Sequence, residues 1–442
     1  MKRILIKNGN VWFEDGSKIT DLLLADGLIA DIGRFGYRLE DCEIVDAAGL
    51  EVLPGLIDIH THLDDIIGGV PLADTWDSGS RIALQNGITT LCGFINQRPG
   101  HDLSAAVDES LRKAGEGSYC DYAFHLTPIS WEKKDWDYIE HLLSDGFRSF
   151  KFYTTYRPAG LFMEYRRLRT VMERIGEMGA RVFIHCEDEA ILESAGENIK
   201  DRSVPYHHAL SRPPQAEVEA VKSILDLVDR ASCRTHIVHV SIAGAAELIA
   251  KAKQDLPVSC ETCPQYLFLS DDKLKEENGH GFICSPPLRP EADRRKIWEM
   301  ACEGVFDAYA TDHCAFSRKD KDGHRRDFAA VPNGLPGIGA LVPLIYELHR
   351  DLQRLTEHLS LNPAKITGLY PRKGVIRKGA DADVVLADIE GRERNITSSL
   401  SDVYDPFVER KTRFEVRIVF LRGQKVLEDG QLCSSEPMGR RI

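Results

Sequence analysis

LPGLIDIHTH, residues 53–62, is a short apolar strand introduced by Pro54-Gly55 and closed by two histidines. Strand side chains alternate, so His60 and His62 point the same way and can reach one metal ion. An isolated His-x-His pair is also met as a structural or surface feature, and the residues downstream give this one its meaning. The same plan, an apolar run ending on or near a metal-competent group, recurs in SFKFY around Lys151, RVFIH up to His185, THIVH up to His239 and AYATD up to Asp312. Strand candidates fall at 56–62, 89–94, 119–126, 148–153, 181–185, 236–240, 258–263 and 307–312, with helical segments between them. That is the rhythm of parallel βαβ units buried on both faces. Eight such units predict an α/β fold, a (β/α)8 TIM barrel, whose active site lies at the C-terminal ends of the strands. His60, His62, Lys151, His185, His239 and Asp312 all fall at or near that rim.

Outward from the barrel, the pattern changes. Residues 1–53 alternate short β-prone runs with Gly and Asp turns, and 371–442 do the same in GVIRKGADADVVLADI and FEVRIVFLRGQKVLEDG. The two ends are expected to pair into one small β-sandwich flanking a barrel domain over 54–370. Within the barrel, 165–178 and 215–230 carry apolar residues at helical spacing, the second after Pro213-Pro214. The polar run SRKDKDGHRRD, 317–327, reads as a mobile surface loop.

Composition bounds the partners. Fifty-six Lys and Arg against 69 Asp and Glu give a formal charge of -13 over 442 residues, which disfavours nucleic acid or an anionic membrane. No segment approaches the roughly 18 uninterrupted apolar residues of a membrane span, and the N-terminus lacks the pattern of a cleaved leader. Eleven scattered cysteines, mostly within apolar runs, read as reduced core residues of a cytoplasmic protein.

Each candidate has a plainer reading. An ammonium inside SFKFY is costly; Lys151 either snorkels from a strand end or has been converted by CO2 into an anionic carbamate that bridges two metals. His185 and His239 are core histidines or imidazole ligands to a second metal. Asp312 is a helix N-cap or a carboxylate that takes a proton from metal-bound water and passes it on. Cys260 and Cys263 lie within one strand without a second pair and read as core. Gly334, Gly337 and Gly339 do not follow a strand in a βαβ unit, so a nucleotide loop is a poor reading.

With these residues placed, the chain resembles the cyclic amidohydrolases of the hydantoinase and dihydropyrimidinase group, within the amidohydrolase superfamily. PGLIDIHTH, SFKFYTTY, HCED, HIVHVS, ETCPQY, CSPPLR, TDHCAF and PNGLPGIG occur in the order that group has them. The resemblance implies two divalent metals, zinc with manganese as the alternative, bridged by N6-carboxylated Lys151. His60, His62 and Asp312 would hold the more buried ion, His185 and His239 the more exposed one. Tyr156 would donate to the oxyanion, and the backbone groups of Ser285 and Asn333 would hold the cyclic amide. It further implies ring opening of a hydantoin or dihydropyrimidine to an N-carbamoyl amino acid by a bridging hydroxide, with Asp312 as general base and acid, in a homodimer or homotetramer.

Two features depart from the pattern. Dihydroorotases usually carry an arginine two residues after the second histidine; here Asp64 stands there, although Asn96 and Arg98 offer a replacement anion site. The segment LDDIIGGVPLAD, 63–74, matches no version of the loop that shapes the pocket for the exocyclic group. Allantoinase or dihydroorotase activity is therefore the alternative within the same chemistry, and hydrolysis of an acyclic amide or ester is a further one. A non-catalytic dihydropyrimidinase-related scaffold is the remote alternative, which the intact set of ligand positions disfavours.

Overall fold

The computed structural model describes residues 3–35 and 42–442; of the N-terminal unit expected over 1–53, residues 1–2 and 36–41 lie outside it. Eight parallel strands, Leu56–Asp58, Ile88–Asn96, Asp121–Thr127, Ser149–Tyr153, Arg181–His185, Arg234–Ile237, Val258–Thr262 and Ala308–Tyr309, stand side by side in chain order. All but the last residue of Ile88–Asn96 are buried, as strands covered on both faces must be. The first and last strands meet at the rim, where the His62 N–H donates to the His313 carbonyl at 2.7 Å. Below them Asp58 accepts from the Thr311 N–H at 3.2 Å and its hydroxyl at 2.6 Å. Ile57, Cys92, Phe183 and Ala308, drawn from four strands around the ring, pack with Val238, just past the sixth strand, as one cluster and fill the interior.

A helix follows each strand: Trp76–Gln85, Leu103–Gly117, Lys133–Ser144, Tyr165–Glu177, Pro214–Ala231, Ala243–Ala252, Glu291–Glu303 and Ile338–His349. Tyr165–Glu177 buries Leu168, Val171, Met172 and Ile175, one stripe at 3.6-residue period that covers the sheet and leaves its arginines outward. Trp76–Gln85 starts on a reciprocal Thr75/Ser78 capping box, which satisfies two of its free N–H groups.

The terminal segments share one nine-stranded sheet in which Glu51–Pro54 of the N-terminal half pairs with Val384–Asp388 of the C-terminal half. The expected sandwich takes the form of this continuous sheet around its own core, which includes Ile4, Leu22, Val52, Val384 and Phe420. At Gly55 the chain passes from sheet to barrel; a Cβ there would lie 2.2 Å from Thr89 Oγ1, so no larger residue fits. The tail returns to the barrel's N-terminal end, where the Ile442 N–H donates to Tyr122 and the Tyr122 N–H to Arg440.

Two expectations are corrected. The first, sixth and eighth strands end before 62, 240 and 312; beyond the sixth and eighth, His239 and Asp312 adopt positive φ as they turn into the site. The run 317–327 is no free loop: Arg318–Gly323 is a helix whose N-cap Ser317 accepts from the Asp320 N–H. Asp322 fastens it to His280 at 2.7 Å and to the Tyr404 hydroxyl at 2.6 Å. The charge run concealed a docked element because Lys321 turns inward, where only 1% of it is exposed.

Candidate active site

At the rim the barrel brings six of the nine candidate residues into one cluster. Asp312 Oδ1 lies 3.1 Å from His60 Nε2 and 3.4 Å from His62 Nε2. His185 Nδ1 faces His239 Nε2 at 3.0 Å. Ligand atoms of His60, His239 and Asp312 all fall within 4.8 Å of one another, which ties the two pairs into one group. Lys151 is 1% exposed, its Nζ has no hydrogen-bond partner, and it stands 5.2 Å from the centre of the Phe94 ring. Beside it opens a cavity of about 290 Å³ lined by Tyr153, Arg157, Leu161 and Phe162 among others.

Backbone geometry aims these groups. Tyr156, His239 and Asp312 have φ of 67°, 39° and 49°, the left-handed region that L-residues avoid and that functional sites hold by their surroundings. Tyr156 sets its ring 5.1 Å from that of His185, the two tilted by 54°, with the Arg212 guanidinium 5.1 Å from its ring centre. Ser285 Oγ and Asn333 Oδ1 are buried without partners, and the Tyr156 phenol is influenced by Ser285. Gly334, next to Asn333, has φ 156° and would place a Cβ 2.2 Å from the Cys314 carbonyl; the glycine lets this segment lie against the strand end.

Electrostatics follows from burial. Burial pushes Lys151 down to about 8, against the opposing pull of Asp312 and Glu261. It likewise lowers His185 and, together with the neighbouring His185 and Lys151, takes His239 well below the usual imidazole range. Burial and Lys151 would lower His60, but Asp312 and Glu261 outweigh them and raise it. Burial would raise Asp312, yet His60 and His62 hold its carboxyl well below the usual carboxylate range. Burial drives the Tyr156 phenol up, so it stays protonated and able to donate.

Around this cluster stand residues that the sequence reading missed. Glu261 accepts from His60 Nδ1 at 2.5 Å and from His236 Nε2 at 3.1 Å. Glu187 pairs with His185 Nε2 at 2.7 Å and with Arg212. A carboxylate on the far nitrogen of a metal-competent histidine fixes its tautomer and orientation. The signal was present as acidic residues inside the apolar runs VSCET and FIHCED. The cysteines flanking Glu261 are buried, and burial pushes Cys260 up to about 12, in keeping with core packing. A second acidic group, Asp121, Asp381 and Asp383, surrounds Lys373 Nζ at 2.6, 3.1 and 2.5 Å, so the chain supplies its own cation there.

The chain as a whole is similar to known proteins. A family model described as "Amidohydrolase family" matches residues 52–426. The chain is 32% identical to a D-hydantoinase of Ralstonia pickettii, over 99% of this chain and 98% of that protein. It is 35% identical to a D-hydantoinase of Geobacillus stearothermophilus, over 99% and 96%. Among solved structures it resembles the dihydropyrimidinase from Brevibacillus agri NCHU1002, with a TM-score of 0.94 and 30% identity over 100% of this chain and 98% of the other. The L-hydantoinase (dihydropyrimidinase) from Arthrobacter aurescens gives 0.89 and 26%, over 100% and 99%.

Proposed function

The chain belongs to the amidohydrolase family, and from that membership we propose that it opens the ring of a hydantoin or dihydropyrimidine to give an N-carbamoyl amino acid. One observation carries the reading: a buried, partnerless lysine amine set among four histidines and an aspartate at the barrel rim. An amine so placed is expensive as an ammonium and chemically apt as a carbamate. His60, His62 and Asp312 would hold one divalent ion, His185 and His239 the other, and carboxylated Lys151 would join them; zinc suits this nitrogen and oxygen donor set, with manganese as the alternative. Such ions supply Lewis acidity and a water acidic enough to react at neutral pH.

The chain's own residues do the rest. Asp312 takes the proton of the attacking water and delivers it to the leaving ring nitrogen. Tyr156 donates its hydroxyl hydrogen to the oxygen on which negative charge develops. Ser285 and Asn333 bind the ring amide. The barrel unit, 54–370, bears the chemistry, while 1–53 and 371–442 support it. We also infer a cytoplasmic protein, a reading supported by its unpaired cysteines, and one that works as a homodimer or homotetramer.

One contact bears on the alternatives. Asn96 and Arg98, the replacement anion site, are both turned to Asp65, at 2.7 and 3.3 Å. An internal carboxylate already occupies the donors that dihydroorotate would need. The test is turnover of hydantoin, dihydrouracil, allantoin and dihydroorotate by zinc- or manganese-loaded protein beside Lys151→Ala. Hydrolysis of hydantoin or dihydrouracil that is lost in the variant supports the reading. Turnover of dihydroorotate or allantoin alone overturns the substrate, and inactivity on all four with metal bound overturns the cyclic-amide assignment.

A further inference from the structure

Lys321 is a second lysine fully inside the protein, and it lies outside the cluster of candidate metal ligands. Among the described residues no carboxylate stands within ion-pair distance of it. Its Nζ donates one hydrogen bond, 3.0 Å, to the Ile283 carbonyl. That same carbonyl accepts the Gly334 N–H, also at 3.0 Å. One residue on, the Cys284 carbonyl accepts from His208 Nε2 at 2.8 Å, and the Pro286 carbonyl accepts from the Tyr266 hydroxyl at 2.8 Å. Three of the four carbonyls from 283 to 286 are thus held by buried donors. Ser285 sits between them, its hydroxyl buried and unpartnered, and Asn333, beside Gly334, has its Oδ1 in the same condition.

A buried ammonium with a single neutral acceptor is unfavourable, and a methionine of similar length would fill the space without that cost. Packing does not account for the lysine. What the lysine adds is a donor at the one carbonyl that both substrate-facing segments share. We propose that Lys321 is a positioning residue for substrate: its ammonium fixes the Ile283 carbonyl to which the Gly334 N–H is bonded, so that 283–286 and 333–334 meet the ring amide at a fixed separation. The inference rests on the cyclic-amide reading for the identity of the substrate, and on the hydrogen bonds alone for the coupling of the two segments.

The experiment compares holoenzyme with Lys321→Met, using hydantoin and dihydrouracil kinetics, metal content, and hydrogen exchange of peptides covering 283–286 and 333–335. The expected result is a roughly 10- to 100-fold rise in KM with kcat within about threefold, the pattern of lost binding, not lost chemistry. Metal content should equal that of wild type, and exchange should rise in those two peptides while barrel-strand peptides keep their protection. Should the methionine variant not fold, Lys321→Leu, which has no donor for the Ile283 carbonyl, takes its place. An unchanged KM, or a fall in kcat that tracks metal loss, overturns the proposal. If wild type turns over neither ring, the cyclic-amide reading has failed, and the exchange data still decide the coupling: unchanged exchange in both peptides overturns it.

Discussion

Among the described residues, two lysines, Lys151 and Lys321, lie fully buried without carboxylate partners, and burial pushes both amines down to about 8. For Lys321 this burial makes stability depend on pH. In the unfolded chain its amine holds a proton up to about pH 10.4, so between pH 8 and there the unfolded state binds more protons than the native one. Stability therefore rises with pH across that window. Below pH 8 the native state bears the full cost of the buried charge, up to about 3 kcal/mol for such a shift. Lys321→Met should accordingly be at least as stable as wild type at pH 7, and its advantage should shrink from pH 8 to 10; urea midpoints at several pH values would check this, and a methionine variant markedly less stable at pH 7 would refute it. Glu261 invites a different measurement. Its two oxygens orient His60 and His236, so Glu261→Gln should weaken metal retention roughly 10- to 100-fold, read by zinc loss to a competing chelator. Retention equal to wild type would show that His60 needs no orienting partner.

At the scale of the element, the rim is built from short segments pressed against strand ends, and close approach is what they require. Gly334→Ala would drive a Cβ into the Cys314 carbonyl and force the 331–337 segment outward. We expect KM to rise at least as far as in Lys321→Met, with a stability loss of about 1–3 kcal/mol from the strain; normal KM would mean the segment shifts without reaching the substrate. Such contacts mark the limit of what the sequence discloses. The barrel strands were legible because burial on both faces leaves nearly unbroken apolar runs, and the histidines at their ends stood out against them. Strand ends were legible only to within a few residues: the turns of His239 and Asp312 into left-handed conformations depend on tertiary contacts that no local pattern encodes. Arg318–Gly323 was read as loop because its helix signal is six residues of charge and glycine, and its docking depends on His280 and Tyr404, distant in sequence. Glu187 and Glu261 were visible as letters, but the pairing of Glu187 with Arg212 and of Glu261 with His60 and His236 is made by the fold.

Across the whole molecule, stability and chemistry are assigned to opposite ends of the barrel. Lys151 stands in the fourth strand facing the rim cluster; Lys373 binds Asp121, at the start of the third strand, to Asp381 and Asp383 beside the terminal sheet. Arg422 and the Arg440 N–H converge on the same Asp121, so this one buried network joins barrel, sheet and C-terminal tail. Conservative deletion of each lysine should separate the two functions. Removing Lys373 leaves buried carboxylates undercompensated, which costs about 3–5 kcal/mol, yet nothing at the rim is touched. Lys373→Met should therefore unfold at much lower urea while keeping, at low temperature, the kcat/KM of wild type. Lys151→Ala removes an unpaired buried amine and should lose activity with little fall in the midpoint of the metal-free protein. If Lys373→Met instead loses kcat in proportion to its stability, the rim geometry depends on the clamp below it, and the two ends of the barrel are mechanically one.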